Sequence, residues 1–251
     1  MQTTAHPSRR PIVLVTRPEP EGAAFAAELA ARHGDAVRLI RAPIMEIVRD
    51  ADLPDLKGIE TLVFTSRNGV RAYAAATARR EIPCYAVGDA TAEAARAEGL
   101  SAISAEGDAR ALVALMIADR VRGPVMQLHG THRAGDIPGA LRAAGIEARA
   151  VPIYDQRARP LSPEARRALR GDAPVVLPLF SPRSAELVIN DTPPTCPLVA
   201  AVISEAARDR LPDPLARDAI VAARPDGPAM HDAVTQAIAT AKRLEGAKGT
   251  Q

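Results

Sequence analysis

The chain has no tryptophan, three phenylalanines and three tyrosines among 251 residues. A surface that stacks nucleic-acid bases or sugar rings would have little to work with. Two cysteines, Cys84 and Cys196, are too few for a disulfide scaffold and fit a reducing compartment. No apolar run approaches the ~18 residues of a membrane helix. The polar stretch Met1 to Arg10 lacks the apolar centre of a secretory signal, so a cytoplasmic location is expected. A net charge of +2 is too small to mark a nucleic-acid binder. There is no G-x-G-x-x-G and no G-x-x-x-x-G-K-[ST], which counts against a nucleotide ligand. No G-x-S-x-G elbow is present to anchor a hydrolase triad.

What is present is ordinary globular material. Hydrophobic residues make up 47% and charged residues 25%, so a packed chain of one large or two small domains is expected. The positive charge is almost all arginine, whose planar fork suits carboxylates and phosphates. Short apolar runs alternate with Ala-rich runs, and many of the 22 prolines stand where elements should stop. Ile12 to Thr16, Val37 to Ile40, Thr61 to Thr65, Cys84 to Val87, Ser101 to Ser104, Val125 to His129 and Ile146 to Tyr154 read as strands. Pro174 to Phe180, Leu198 to Ile203 and Asp218 to Ala222 continue the series. Between them, helices are expected over residues 21–33, 67–79, 91–98, 108–120, 137–144, 184–189, 205–211 and 228–244. Another should begin at Ser162 and Pro163, a cap followed by a first-turn proline. The tail from Glu245 is expected to fray. This alternation predicts parallel sheets with helices on both faces. Ligands then belong beyond the carboxyl ends of the strands.

An echo supports two similar halves. Phe64-Thr65-Ser66-Arg67 recurs 116 residues later as Phe180-Ser181-Pro182-Arg183. A second echo pairs Ala42-Pro43-Ile44-Met45 with Val151-Pro152-Ile153-Tyr154.

The strand-to-helix junctions share a chemistry. They are Thr16-Arg17-Pro18, Thr65-Ser66-Arg67-Asn68-Gly69, Gly88-Asp89-Ala90-Thr91, Gly130-Thr131-His132-Arg133, Ser181-Pro182-Arg183-Ser184 and Ser204-Glu205. Nearly all carry a hydroxyl, several a glycine, and four an arginine. A helix N-terminus supplies free N–H groups and partial positive charge, and arginine adds a bidentate clamp. Together they could bind a polyanion, a polycarboxylate rather than a nucleotide. The competing reading is ordinary capping, since Ser and Thr are favoured at helix starts anyway.

Other candidates are thinner. His129 and His132 are spaced H-x-x-H with Asp136 near, but a metal site needs a better defined third ligand. Both cysteines read as buried or idle thiols. Tyr154 ends a strand and precedes a polar, Arg-rich run. Facing a cleft it could donate a proton or hydrogen bond; packed in a strand it would be a half-buried core residue.

In this order the junctions resemble the uroporphyrinogen-III synthase family. The segments that carry the resemblance are Leu14-Val15-Thr16-Arg17-Pro18, Val63 to Val70, Ala86 to Ala92, Gly130 to Arg133, Val151 to Tyr154 and Phe180 to Ala185. The resemblance implies two α/β domains joined by two antiparallel connecting strands. One would be built from both chain ends, residues 1–42 and 156–251, and the other inserted as residues 43–155. The implied reaction cyclises hydroxymethylbilane to uroporphyrinogen III, with loss of water and inversion of ring D through a spiro intermediate. It implies a hydro-lyase of porphyrin and heme biosynthesis, monomeric, with no metal or other cofactor. Transient contact with the preceding deaminase is also expected.

The family's tyrosine proposed to assist departure of the hydroxyl corresponds to Tyr154, and a cleft-lining threonine corresponds to Thr91. Thr65, Ser66 and Ser181 correspond to further lining residues, with Gly88 and Gly130 at their junctions. Arg17, Arg67, Arg133 and Arg183 are added as carboxylate contacts. The chain departs from the pattern at Ser204-Glu205-Ala206-Ala207, which lacks the threonines common there, and an inward Glu205 would repel an anion. Two other classes stay open: a bilobed small-anion binding protein without catalysis, and a transferase acting on a nucleotide sugar or phosphorylated metabolite.

Overall fold

In the computed structural model, which describes residues 10–49, 52–132 and 135–248, the apolar and Ala-rich runs resolve into eleven strands and nine α-helices among the described residues. The strands are β1 (Ile12–Val15), β2 (Arg38–Arg41), β3 (Met45–Val48), β4 (Thr61–Phe64), β5 (Cys84–Ala86), β6 (Ala102–Ser104), β7 (Val125–Gly130), β8 (Ala148–Ala158), β9 (Val175–Leu179), β10 (Leu198–Val202) and β11 (Ile220–Val221). The helices are α1 (Glu21–His33), α2 (Arg67–Ala76), α3 (Asp89–Ala97), α4 (Ala109–Ala118), α5 (Ile137–Ala143), α6 (Pro163–Arg170), α7 (Pro182–Asp191), α8 (Glu205–Arg208) and α9 (Gly227–Lys248). The chain divides into two compact units. One is the chain up to Glu46 with the chain from Ala158 onward; the other is Ile47–Arg157.

The first unit is built on a five-stranded sheet, order β11-β10-β9-β1-β2, with every pairing parallel. Strand β1 shows why. Its alternate side chains serve two cores: Ile12 and Leu14 pack with α6 and α7 on one face, while Val13 and Val15 pack with α1 and α9 on the other. A strand buried on both faces reads as a continuous apolar run. Each fully buried side chain of this size contributes about 1.5–3 kcal/mol.

The second unit carries a six-stranded sheet, order β3-β8-β7-β4-β5-β6. From β8 through β7, β4 and β5 to β6, each pairing is parallel. Leu62 and Phe64 of β4 join one core with Tyr73 and Tyr154. Val63 joins the other with Leu112 and Leu141. The Arg159 N–H donates to the Ile44 carbonyl at 2.9 Å, so residues after Ile44 can pair with β8 only by running back along it. The chain thus passes out along β3 and returns along the antiparallel β8.

Each sheet has one place where successive connections leave in opposite directions, between β1 and β9 in the first and between β4 and β7 in the second. The carboxyl ends of strands at such switch points are where open parallel sheets bind ligands.

Several boundaries differ from the sequence reading. Strand β8 runs four residues past Tyr154 to Ala158, because its polar end is paired with β3. Helix α2 stops at Ala76 rather than near residue 79. There the Arg80 guanidinium turns back and donates to the carbonyls of Thr77, Arg79 and Ala74, ending the helix as basic C-terminal residues do. Helix α8 is one turn, residues 205–208, and β11 keeps only two residues. The expected fraying from Glu245 is corrected: α9 continues to Lys248. Among the described residues no helix is long and apolar enough to cross a membrane.

Candidate functional site

At the carboxyl edge of the second sheet, the ends of β4 and β7 converge on one ring of β8. Tyr154 of β8 is 5% exposed, and its phenolic oxygen lies 2.8 Å from the Ser66 hydroxyl. Ser66 is the N-cap of α2, with extended backbone, and its hydroxyl accepts the Gly69 N–H at 3.2 Å. The backbone of Tyr154 is fixed as well: Thr131 N–H donates to its carbonyl at 2.9 Å, just after a register irregularity between β7 and β8.

One glycine makes room for the ring, and a second lies beside it. A Cβ at Gly130 would lie 2.6 Å from Tyr154 Cε2 and 3.0 Å from its hydroxyl oxygen. One at Gly69 would meet the Leu128 carbonyl at 3.1 Å and Tyr154 Cε1 at 3.8 Å. Gly130 is therefore a space-maker for Tyr154. Burial pushes the Tyr154 phenol above its ordinary range, while hydrogen bonds from Ser66 and the Gly130 backbone pull the other way. The balance keeps the ring neutral near pH 7.

The other two tyrosines differ in kind. Tyr73 donates to the Arg79 carbonyl at 3.0 Å, and Tyr85 donates to Asp119 Oδ2 at 2.8 Å. Carbonyls and carboxylates only accept, so both hydrogens are committed. Tyr154 faces a hydroxyl, which can donate or accept.

At the next junction of this unit, Gly88 is the N-cap of α3. No side chain caps it, and the space around its Cβ position is open. Thr91, in the first turn of α3, is 7% exposed. The other long helices start differently. Asp108 caps α4, Ser162 caps α6, and Asp226 accepts from the Ala229 N–H in α9. Glu19 accepts from the Ala23 N–H in α1, and its other oxygen takes Arg41 at 3.1 Å.

In the first unit, Ser181 caps α7 in a reciprocal box with Ser184: the Ser184 N–H donates to Ser181 Oγ at 3.1 Å, and the Ser181 N–H to Ser184 Oγ at 3.2 Å. The guanidinium carbon of Arg17, after β1, lies over the Phe180 ring after β9, 4.2 Å from the centroid. The two residues span that sheet's switch point.

The structure thus brings Ser66, Gly130 and Tyr154 into contact. Thr65 precedes the α2 cap, and Arg67 is the first residue of α2. Arg183 lies in the first turn of α7, beside Ser181. Arg133 lies outside the described residues. Glu205 pairs with Arg208 on its own exposed turn. His129 is buried with Nδ1 2.6 Å from the Gly130 carbonyl, His132 is exposed, and Asp136 caps α5 through the Gly139 N–H at 3.1 Å. Both cysteines are buried, and burial pushes the Cys84 thiol up to about 12. The sequence reading missed Phe180 as the partner of Arg17 and Gly69 as a wall of the tyrosine pocket. Phenylalanine's scarcity was the available signal for the first.

Comparisons with known proteins bear on the fold and the family. No curated protein matches the chain. Among solved structures, uroporphyrinogen-III synthetase from Helicobacter pylori 26695 is similar at 15% identity and TM-score 0.65, covering 91% of this chain and 99% of that one. A mutant uroporphyrinogen III synthase from the extreme thermophile Thermus thermophilus is similar at 15% identity and TM-score 0.54, covering 92% and 100%. At such identity these likenesses speak for the fold. The family itself is settled by sequence: the model of uroporphyrinogen-III synthase HemD matches residues 24–232. With most of its length matched, the chain belongs to the uroporphyrinogen-III synthase family.

Proposed function

We propose that the Tyr154–Ser66 pair assists departure of the hydroxyl when this cyclising lyase closes hydroxymethylbilane to uroporphyrinogen III. The observation that carries the assignment is a count of hydrogens. Two hydroxyls face each other at 2.8 Å, and their mutual bond uses one hydrogen. The Gly69 N–H occupies an acceptor site on Ser66, and among the described residues no second acceptor side chain closes the pair. One hydroxyl hydrogen is left to offer the leaving group. It comes from Tyr154 if Ser66 donates inward, or from half-buried Ser66 if Tyr154 donates. Tyr73 and Tyr85 have no such hydrogen to spend.

The steps balance without redox change. The terminal hydroxyl leaves as water, giving an electrophilic azafulvene. The substituted carbon of ring D attacks it, forming a spiro intermediate. Fragmentation and reclosure then invert the ring, and a pyrrole proton is lost. Free substrate closes without inversion, so much of the enzyme's contribution is geometric: holding the chain so that the substituted carbon is the nearer nucleophile.

Eight carboxylates give the protein its handles. We assign binding to the open N-terminus of α3 at Gly88 with the Thr91 hydroxyl, where N–H groups and helix dipole favour an anion. Thr65, Arg67, Gly130 and Arg133 would serve the same unit, and Arg17, Ser181 and Arg183 the other. The capping box with Ser184 already engages both the Ser181 hydroxyl and its backbone N–H. Activity in the cytoplasm, as a monomer with neither metal nor other cofactor, completes the reading. Transient contact with the preceding deaminase follows from the substrate's spontaneous closure, which rewards rapid handover. A small-anion binding protein without catalysis is not favoured.

The test is an isomer assay. Hydroxymethylbilane is generated in situ by the deaminase, the products are oxidised, and isomers I and III are separated. Predominantly isomer III is expected. Isomer I alone from folded protein would remove the activity. Tyr154→Phe and Ser66→Ala making isomer III at the wild-type rate would remove the pair from the mechanism.

A further inference from the structure

The geometry points to Phe180, braced by Phe25, as a positioning residue that aims the Arg17 guanidinium at a substrate carboxylate. This rests on the reading of Arg17 as a carboxylate contact. The chain has only three phenylalanines, and two of them stand in this cluster. The Arg17 guanidinium lies over the Phe180 ring at 4.2 Å. Phe25 of α1 meets Phe180 edge-on, with centroids 4.9 Å apart and planes at 86°. On its other side Phe25 packs against the His231 ring of α9 at 4.5 Å. His231 is 3% exposed and is held through Nε2 by Glu28 of α1. The ring under Arg17 is thus fixed by two helices.

The backbone of Arg17 is equally constrained. The neighbouring Thr16 carbonyl accepts the Ile44 N–H at 3.0 Å. Helix α1 approaches so closely that a Cβ at Gly22 would fall 2.5 Å from the Arg17 carbonyl oxygen. The backbone of Arg17 and the ring beneath its guanidinium are thus both held in place.

A cation–π contact suits this task because the ring attracts the charge without being a conventional hydrogen-bond acceptor. Carboxylates bind along the edge, bidentately. An arginine ordered in advance loses less freedom when substrate arrives, so the effect belongs in substrate affinity rather than in the chemical step.

The experiment measures KM and kcat for isomer III formation in the full-length protein. Phe180→Leu, close in volume but without a π face, should raise KM about three- to fivefold with kcat changed by less than about twofold. Phe180→Trp, which keeps the π face, should restore the wild-type KM. Arg17→Gln should raise KM, and adding Phe180→Leu to it should change nothing more. Phe25→Leu, remote from the guanidinium, should raise KM about twofold and stands in if Phe180→Leu fails to fold.

A wild-type KM in Phe180→Leu, or in Phe25→Leu as its stand-in, beside a raised KM in Arg17→Gln would overturn the positioning role alone. Fully additive effects in the double variant would do the same, as would failure of tryptophan to rescue. An unchanged KM in Arg17→Gln would instead remove the Arg17 contact and the positioning role with it, leaving isomer III formation intact.

Discussion

The phenolic oxygen of Tyr154 and the hydroxyl oxygen of Ser66 lie 2.8 Å apart, although 88 positions separate them in the chain. One lies within a long strand and the other caps a helix. Their contact joins the β4–α2 junction to the β8 strand, at the switch point of the second sheet. Removing either partner should therefore be legible in both rate and stability. Tyr154→Phe should slow isomer III formation at least tenfold while costing about 1 kcal/mol of stability, the worth of one hydrogen bond. Ser66→Ala should also slow turnover, and its lost helix cap should cost about 0.5–2 kcal/mol in chemical denaturation. Ser66→Thr keeps both functions and should recover most of each.

Gly130→Ala tests the space around the ring. The added methyl would stand 2.6 Å from Tyr154 Cε2, so the ring must move away from Ser66. Turnover should fall about as far as in Tyr154→Phe, with about 1–3 kcal/mol of overpacking cost in thermal unfolding. Gly227→Ala, which has open space around it, serves as the control and should keep wild-type activity.

Alkaline titration should separate the tyrosines. Burial pushes Tyr85 up to about 12, with Asp119 adding to the rise, and burial also raises Tyr154. A raised folded-state value means the fold prefers the neutral phenol. That stability is fully present below the unfolded value near 10 and is lost as pH rises through the folded value. Tyrosinate absorbance should thus lag behind free tyrosine and appear together with unfolding. The kcat profile should show no loss of a tyrosine proton below about pH 10. A kinetic pKa that lies near 8 and disappears in Tyr154→Phe would contradict this assignment.

On the acid side the informative pair is Asp191 and Arg166, joined by two hydrogen bonds of 2.7 and 3.1 Å. The Arg166 guanidinium holds the Asp191 carboxyl below its usual range. Its stabilisation is present above the unfolded value near 4 and is lost as pH falls through the lowered one. Asp191→Asn should lower the unfolding midpoint at pH 7 and flatten its fall between about pH 4 and pH 2. The exposure of Arg166 keeps the effect modest and salt-sensitive.

Turnover should persist undiminished in a strong chelator, because in the proposed step the leaving hydroxyl takes its hydrogen bond from the Tyr154–Ser66 pair and no redox change occurs. An activity abolished by chelation and restored by one added metal would overturn the cofactor-free mechanism.

Much of this architecture could be read along the chain, because its determinants are local. Apolar runs such as Ile12 to Val15 are buried on both faces of a sheet and carry that burial in their composition. Asp108 and Ser162 announce helix starts with side chains that accept the first free amides. Gly99 and Gly145 mark helix ends with left-handed backbone, φ +85° and +81°. Where the reading slipped, a distant partner was responsible. Strand β8 outlasts its apolar portion because β3 pairs with it, and α2 ends early because Arg80 takes up its last carbonyls.

The sequence by itself determined the alternation of strands and helices, the parallel sheets and, through the ordered junction motifs, the family. Each of these depends on periodicity, caps and short segments that act over a few residues. Only the tertiary structure decided which hydroxyls are spent on caps and which meet a tyrosine. It also showed that Gly130 makes room for a ring and that Arg17 rests on Phe180. Those relationships are contacts between segments far apart in the chain. Their distances are set by how whole sheets and helices pack, and no local pattern of residues encodes them.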